Sequence, residues 1–278
     1  MQTARRMVMA HAMAFGALVA LGASAPEPGA TGQPGLHLIP GEVLTYAGDF
    51  GVFGQVGRGE MKVSGPECLR DRPVYRIDFG FEGRVMLMRI RDRTTSWVDA
   101  EHGITLRYHK EERHPVGSRV EEVEIHPELD RWEGAGGEGG PLGGRAPLDE
   151  LSFIYLLRGL DLEPGESMEL DRHFDEARSP VVVRHRGMDR VRVPAGSFDV
   201  QVLEMEVRDG ERFGGAGRVV LHITDDELRV PVRIASATPV VGNLVLVLEE
   251  RTAPSAASEP ASGSAGRTDR TRSSPCST

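Results

Sequence analysis

The chain has 278 residues and a mass of 30.3 kDa, with 39% apolar residues, 5% aromatics, 34 glycines and 18 prolines. That composition is glycine-rich yet foldable, neither collagen-like nor wholly disordered. Of 33 basic residues only Lys62 and Lys110 are lysines, and a formal net charge of −9 argues against a nucleic-acid binder, which needs a broad basic face.

Residues 1–25 read as a signal peptide. Arg5 and Arg6 give a positive start, Met7 to Leu21 is an apolar run broken by His11, and Ala23-Ser24-Ala25 supplies small residues before a cleavage point. Extended to Ala25, the same run is barely long enough to span a bilayer, so an uncleaved anchor is the less favoured reading. Cleavage leaves a mature chain without a transmembrane segment, periplasmic or secreted. Residues 26–35 read as a flexible linker and 36–252 as a single β-rich domain. Residues 253–278 read as a disordered tail, because they offer neither aromatic nor branched aliphatic side chains to bury. The acidic balance predicts a soluble domain that stays away from anionic membranes.

In chain order, Gly41-Glu42-Val43-Leu44-Thr45-Tyr46 predicts a first strand entered from the Pro40-Gly41 turn, and residues 59–63 a second. Tyr75, Ile77, Phe79 and Phe81 then share one face, with Arg76, Asp78 and Gly80 on the other. Residues 86–91 and 95–98 follow, and Ile104, Leu106 and Tyr108 alternate with Thr105, Arg107 and His109. Strands are expected next at 120–125, 181–184, 191–193 and 200–207, with a turn at Pro194-Ala195-Gly196-Ser197. The last strands are expected at 219–223, 228–234 and 243–249. Residues 134–144, with seven glycines, predict a plain loop. Between them and the later strands, Leu148 to Gly159 predicts a helix, with Asp149 as N-cap, Arg158 in the last turn and Gly159 at the end. It is apolar nearly all round and should be buried. The fold class is mainly β: a strongly curved antiparallel sheet or barrel-like β domain with one short buried helix.

Recognisable chemistry is sparse. Gly134-Ala135-Gly136-Gly137-Glu138-Gly139 matches G-x-G-x-x-G, but Pro141 and Pro147 follow where a phosphate-binding helix should start. Ser152 lies in the helix, where a hydroxyl bonded back to the preceding turn is the ordinary reading. His102, His109, His114 and His126 lack metal-ligand spacing, and neither a metal nor a cofactor is expected. The one polar cluster of interest is His222, Asp225, Asp226 and Arg233, a weak candidate catalytic set that also suits a solvated turn. Phe79, Phe81, Met86 and Met88 are weak candidates for an apolar ligand-binding surface, or for core filling. Cys68 and Cys276 are too few for a disulfide scaffold, and no stable bond is expected between a loop and a tail that would have to be ordered.

Three segments in this order and spacing are similar to an exported bacterial family, domain of unknown function 3108 (DUF3108). They are Pro40-Gly41-Glu42-Val43-Leu44-Thr45-Tyr46, the helix 148–158, and Val193-Pro194-Ala195-Gly196-Ser197-Phe198-Asp199. Thr224-Asp225-Asp226 with Pro231-Val232-Arg233 resembles that family's closing hairpin, although His222 stands where the pattern favours an aromatic. The resemblance implies an exported, mostly β protein over about residues 38–250 and carries no catalytic residues. The leading expectation is an envelope protein without catalytic activity that binds an apolar small molecule or an envelope protein partner. Alternatives are a hydrolase using the His/Asp/Arg cluster and a purely structural or interaction role.

Overall fold

The computed structural model describes residues 35–85, 87–114, 117–208, 216–238, 242–253 and Cys276. The chain divides into units Met1–Gln33 and Pro34–Thr278, and everything described belongs to the second. The expected signal peptide, nearly all of the linker and most of the tail lie outside the described residues.

Fourteen strands form one antiparallel sheet. In chain order they are β1 (Val43–Phe50), β2 (Gln55–Leu69), β3 (Arg72–Val85), β4 (Met88–Asp99), β5 (Thr105–His114), β6 (Gly117–His126), β7 (Arg131–Gly134) and β8 (Gly139–Pro141). After helix α1 (Glu150–Arg158) come β9 (Ser167–Leu170), β10 (Val181–Val193), β11 (Gly196–Arg208), β12 (Ala216–Thr224), β13 (Pro231–Thr238) and β14 (Gly242–Thr252). Consecutive strands pair throughout except β8 and β9, and β14 returns to pair with β1. Two meanders, β1–β8 and β9–β14, are thereby stitched into one sheet whose edges are β8 and β9.

The expected strands are present, and three details are corrected. Residues 86–91 and 95–98 fall largely within the single strand β4. Of the glycine-rich residues expected to be only loop, Gly134 ends strand β7 and Gly139–Pro141 form strand β8. Residues 225–230 form the β12–β13 turn, so the alternation read from Leu228 begins as a strand only at Pro231.

The sheet is not closed, but the segment between β8 and α1 spans the gap between its edges. Leu142 bridges to Asp175 and Leu148 to His173. Leu148 N donates to Arg172 O at 2.6 Å, and Phe174 N donates to Leu148 O at 2.9 Å. The strip can lie this close only because residues 143 and 144 are glycines: a Cβ on Gly144 would sit 1.9 Å from Asp171 O, and one on Gly143 2.4 Å from His173 O.

Helix α1 packs between apolar side chains from many strands. Leu151 and Tyr155 join a core made by Leu44, Tyr46, Met61, Ile77, Phe81, Val232, Leu246 and Leu248. Phe153, Leu156 and Leu157 join a second core with Val181, Val183, Leu203, Met205, Leu221 and Ile223. Seven of the nine helical residues are buried, so the helix fills space that the sheet's curvature would otherwise leave open. At ~1.5–3 kcal/mol per fully buried large apolar side chain, this packing dominates the stability of the unit.

A correction concerns the cysteines. Cys68 and Cys276 form a disulfide, with Cα atoms 5.3 Å apart at a sequence separation of 208. The bond ties the end of β2 to the chain terminus.

Candidate functional site

Two buried polar assemblies fix α1. At its N-terminus Asp149 accepts from Leu151 N and Ser152 N, while Ser152 Oγ accepts from Asp149 N, a reciprocal capping box. Ser96 Oγ on β4 and Thr105 Oγ1 on β5 also donate to this carboxylate, at 2.7 and 2.8 Å. Burial raises the Asp149 carboxyl above its usual range, and the bonds from Ser96 and Ser152 partly counter it. Ser152 Oγ also bonds to Asp149 O at 3.0 Å, which gives this serine a structural use.

At the other end of α1, Arg158 meets Glu42 at 2.6 Å with both side chains out of solvent. Arg158 also donates to the carbonyls of Leu228 and Arg229, and its guanidinium lies 5.3 Å from the Tyr155 ring centre. Arg251 completes the shell of Glu42 at 2.8 Å. Opening strand, helix and closing turn therefore meet at one guanidinium. The 193–199 segment joins them: Ala195 N bonds to Leu248 O, and Asp225 N to Asp199 O.

The polar cluster expected around His222 does not assemble. Asp225 and Asp226 are exposed in the β12–β13 turn. The Asp226 carboxylate accepts from Thr224 Oγ1, Leu228 N and Arg229 N, which is the work of a turn residue. His222 is buried on β12 opposite Arg233, and among the described residues no hydrogen bond or ion pair joins His222 or Arg233 to either aspartate. Burial first, and then the Arg233 charge, holds the His222 imidazole below its ordinary value. The four histidines weighed as metal ligands disperse to different carboxylates: His102 to Asp99, His109 to Glu122, His114 to Asp92 and His126 to Glu128.

Of the apolar candidates, Phe81 is a core residue. Its ring lies so close to Gly48, Gly57 and Gly83 that a Cβ on any of them would come within 3.0 Å of it. Phe79 is partly buried against the same core. Met86 lies outside the described residues. Met88 is about half exposed and lines a groove of about 680 Å³ where β2, β3, β4 and β5 reach one end of the sheet. Val56 and Ile90 give the groove further apolar wall, and Arg84, Arg89, Arg91, Arg113 and His114 give it positive charge. Glu82 neutralises part of that charge through Arg91 at 3.0 Å. Arg84 and Arg89 have no charged partner among the described residues.

From His114 a polar wall runs along the face of β4–β6 that carries Ser96 and Tyr108. His114 Nε2 lies 2.7 Å from Asp92, Lys110 Nζ 2.9 Å from Glu112, and Arg119 2.7 Å from Glu121. Strand register places Asp92 beside Glu112 and Lys110 beside Glu121. Burial raises the Asp92 carboxyl, partly offset by His114. Burial would lower the Lys110 amine, but Glu150 and Glu112 outweigh it and raise it. Glu150, at the start of α1, is held well below the usual range: burial opposes this, but His173 and Arg178 prevail. Sequence reading missed this wall because it followed the alternation only to Tyr108 and His109 and began the next strand at residue 120, which left out Lys110, Glu112 and Arg119. The visible signal was that Tyr108, Lys110 and Glu112 keep one parity.

Comparison with known proteins adds the fold. The chain is similar to a β-barrel-like protein of domain of unknown function DUF1849 from Brucella abortus, at 13% identity over 78% of this chain and 98% of that one, with a TM-score of 0.53. A candidate lipoprotein from Parabacteroides distasonis matches at 11% identity over 79% and 100% of the two chains, with a TM-score of 0.29. A candidate exported protein with a YmcC-like fold from Bacteroides fragilis matches at 11% over 78% and 99%, with a TM-score of 0.30. Comparison with curated proteins gave no match. A family model matches residues 44–249, from the second residue of β1 into β14, so the chain belongs to the family described as protein of unknown function DUF3108.

Proposed function

We propose that the protein is exported and acts in the envelope as a non-catalytic binding protein, holding an amphiphilic ligand in the groove at the ends of β2–β5. The sequence of residues 1–25 supports export. One observation carries the binding reading: α1 fills the apolar interior, while the groove pairs Val56, Met88 and Ile90 with Arg84 and Arg89, which have no charged partner among the described residues. Such a lining suits a molecule with an apolar part and an anionic group. The hydrolase reading has less support, because the Asp226 carboxylate is committed to its own turn.

The test is native mass spectrometry of protein purified gently from its host envelope. The expected result is a co-purified anionic amphiphile that is lost in Arg84→Glu/Arg89→Glu. Recovery of only unliganded protein, or of the same adduct in that variant, would overturn the reading. A co-purifying protein in place of a small molecule would favour an interaction role.

A further inference from the structure

The antiparallel order separates the strand connections into two sets. The β1–β2, β3–β4 and β5–β6 hairpins lie side by side at one end, and the β2–β3, β4–β5 and β6–β7 connections at the other. The two ends differ in character. At the first, Phe53 is 50% exposed and stacks on Phe50 at 6.3 Å, Leu87 is 92% exposed and Met88 47%. At the second, the exposed connections are mainly charged, with Asp71, Glu101, Glu128 and Asp130, although Leu129 is also exposed. Leu87, nearly naked at a hairpin tip, has no use in the packing of the unit.

Charge follows the same division. Arg84 and Arg89 flank the Leu87 tip on β3 and β4, both exposed and without a partner among the described residues. Arg91 and Arg113 stand opposite each other just behind. Of the acids at this end, Glu82 is engaged by Arg91 and Arg93 and Glu111 by Arg113, while half-buried Asp49 has no cationic partner among the described residues. This arginine cluster belongs to a chain whose net charge is −9. Screening over about 8–10 Å in physiological salt means that an approaching surface feels the local cluster more than the distant acids. Apolar tips flanked by Arg84 and Arg89, neither with a charged partner among the described residues, suit an interface where hydrocarbon lies beneath a layer of phosphates.

We propose that this end of the sheet docks on an anionic phospholipid surface, with Phe53 and Leu87 entering the interfacial layer and Arg84 and Arg89 contacting lipid phosphates. The proposal revises the expectation, drawn from overall charge, that the domain avoids such membranes. It shares Arg84 and Arg89 with the groove, whereas Phe53 and Leu87 lie outside the groove lining and separate docking from ligand holding. Docking would set the groove mouth against the bilayer.

The purified protein is sedimented with vesicles of phosphatidylcholine alone and of phosphatidylcholine mixed with phosphatidylglycerol. Wild type should bind the anionic vesicles, more weakly at high salt, and leave the neutral ones in suspension. Phe53→Asp/Leu87→Asp and Arg84→Glu/Arg89→Glu should each weaken binding by about tenfold or more with unchanged thermal unfolding. Leu129→Asp, at the opposite end, should bind like wild type. Wild type failing to bind anionic vesicles would overturn the proposal, as would rim variants that bind undiminished or a Leu129→Asp loss equal to theirs. Because the readout is partition to lipid, its failure leaves the groove reading standing, and the reverse also holds.

Discussion

Arg158 and Glu42, 116 residues apart in sequence, form an ion pair wholly shielded from water, with the arginine's remaining donors spent on the carbonyls of Leu228 and Arg229. Removing one member strands the other charge in a medium that solvates it poorly. Arg158→Met should cost about 3–5 kcal/mol in urea unfolding, and Arg158→Met/Glu42→Gln should recover part of that loss. A single-variant cost below about 1 kcal/mol would show that the pair is not buried as described.

The helix N-cap gives a second test. Asp149→Ala leaves the hydroxyls of Ser96 and Thr105 and two helix amides without their acceptor, and should cost about 2–4 kcal/mol. Asp149→Asn keeps the shape and should lose less. Unfolding midpoints in urea at constant slope provide the measurement.

Stability should fall on mild acidification. His222 and His37 are both held below the ordinary imidazole value of 6.5, first by burial and then by Arg233 and Arg158 respectively. The unfolded chain therefore binds more protons in the window from about 6.5 down to the lowered native values, and stability declines as pH falls through it. Comparing unfolding at about pH 7.5 and about pH 5.5 should reveal the slope, and His222→Gln should flatten it. An unchanged slope in that variant would remove His222 as its source.

The disulfide predicts no titratable thiol in the denatured, unreduced protein. Cys68→Ser should expose one thiol, on Cys276, and lower stability by about 2–4 kcal/mol. Two free thiols in wild-type protein isolated from an oxidising compartment would contradict the bond.

Much of the fold was legible because alternation and turn chemistry act locally. Tyr75, Ile77 and Phe81 announced a half-buried strand, and Asp149 with Arg158 and Gly159 announced the helix and its limits. What escaped depends on register and closure between distant segments. Nothing near Arg158 says that its partner is Glu42, and the Cys68–Cys276 bond depends on where Cys276 lies in space. The Asp225-Asp226 pair misled in the opposite sense: adjacent carboxylates suggested chemistry, yet Asp226 holds its turn together. Leu87 was invisible as a surface residue because residues 86–91 read from sequence as a strand, whereas Leu87 lies in the turn before β4.

The pairing of β1 with β14 has a consequence for biogenesis. A polypeptide delivered N-terminus first presents Val43–Phe50 with one flank open until residues 242–252 arrive. Half of the seam that unites the two meanders is therefore missing throughout translation or translocation, and its completion joins residues about as distant in sequence as the unit allows. A nascent chain of this kind gains from being kept unpaired by a holding chaperone until its last strand is delivered. Truncating it before residue 242 should leave a sticky, aggregation-prone ribbon, not a smaller stable protein.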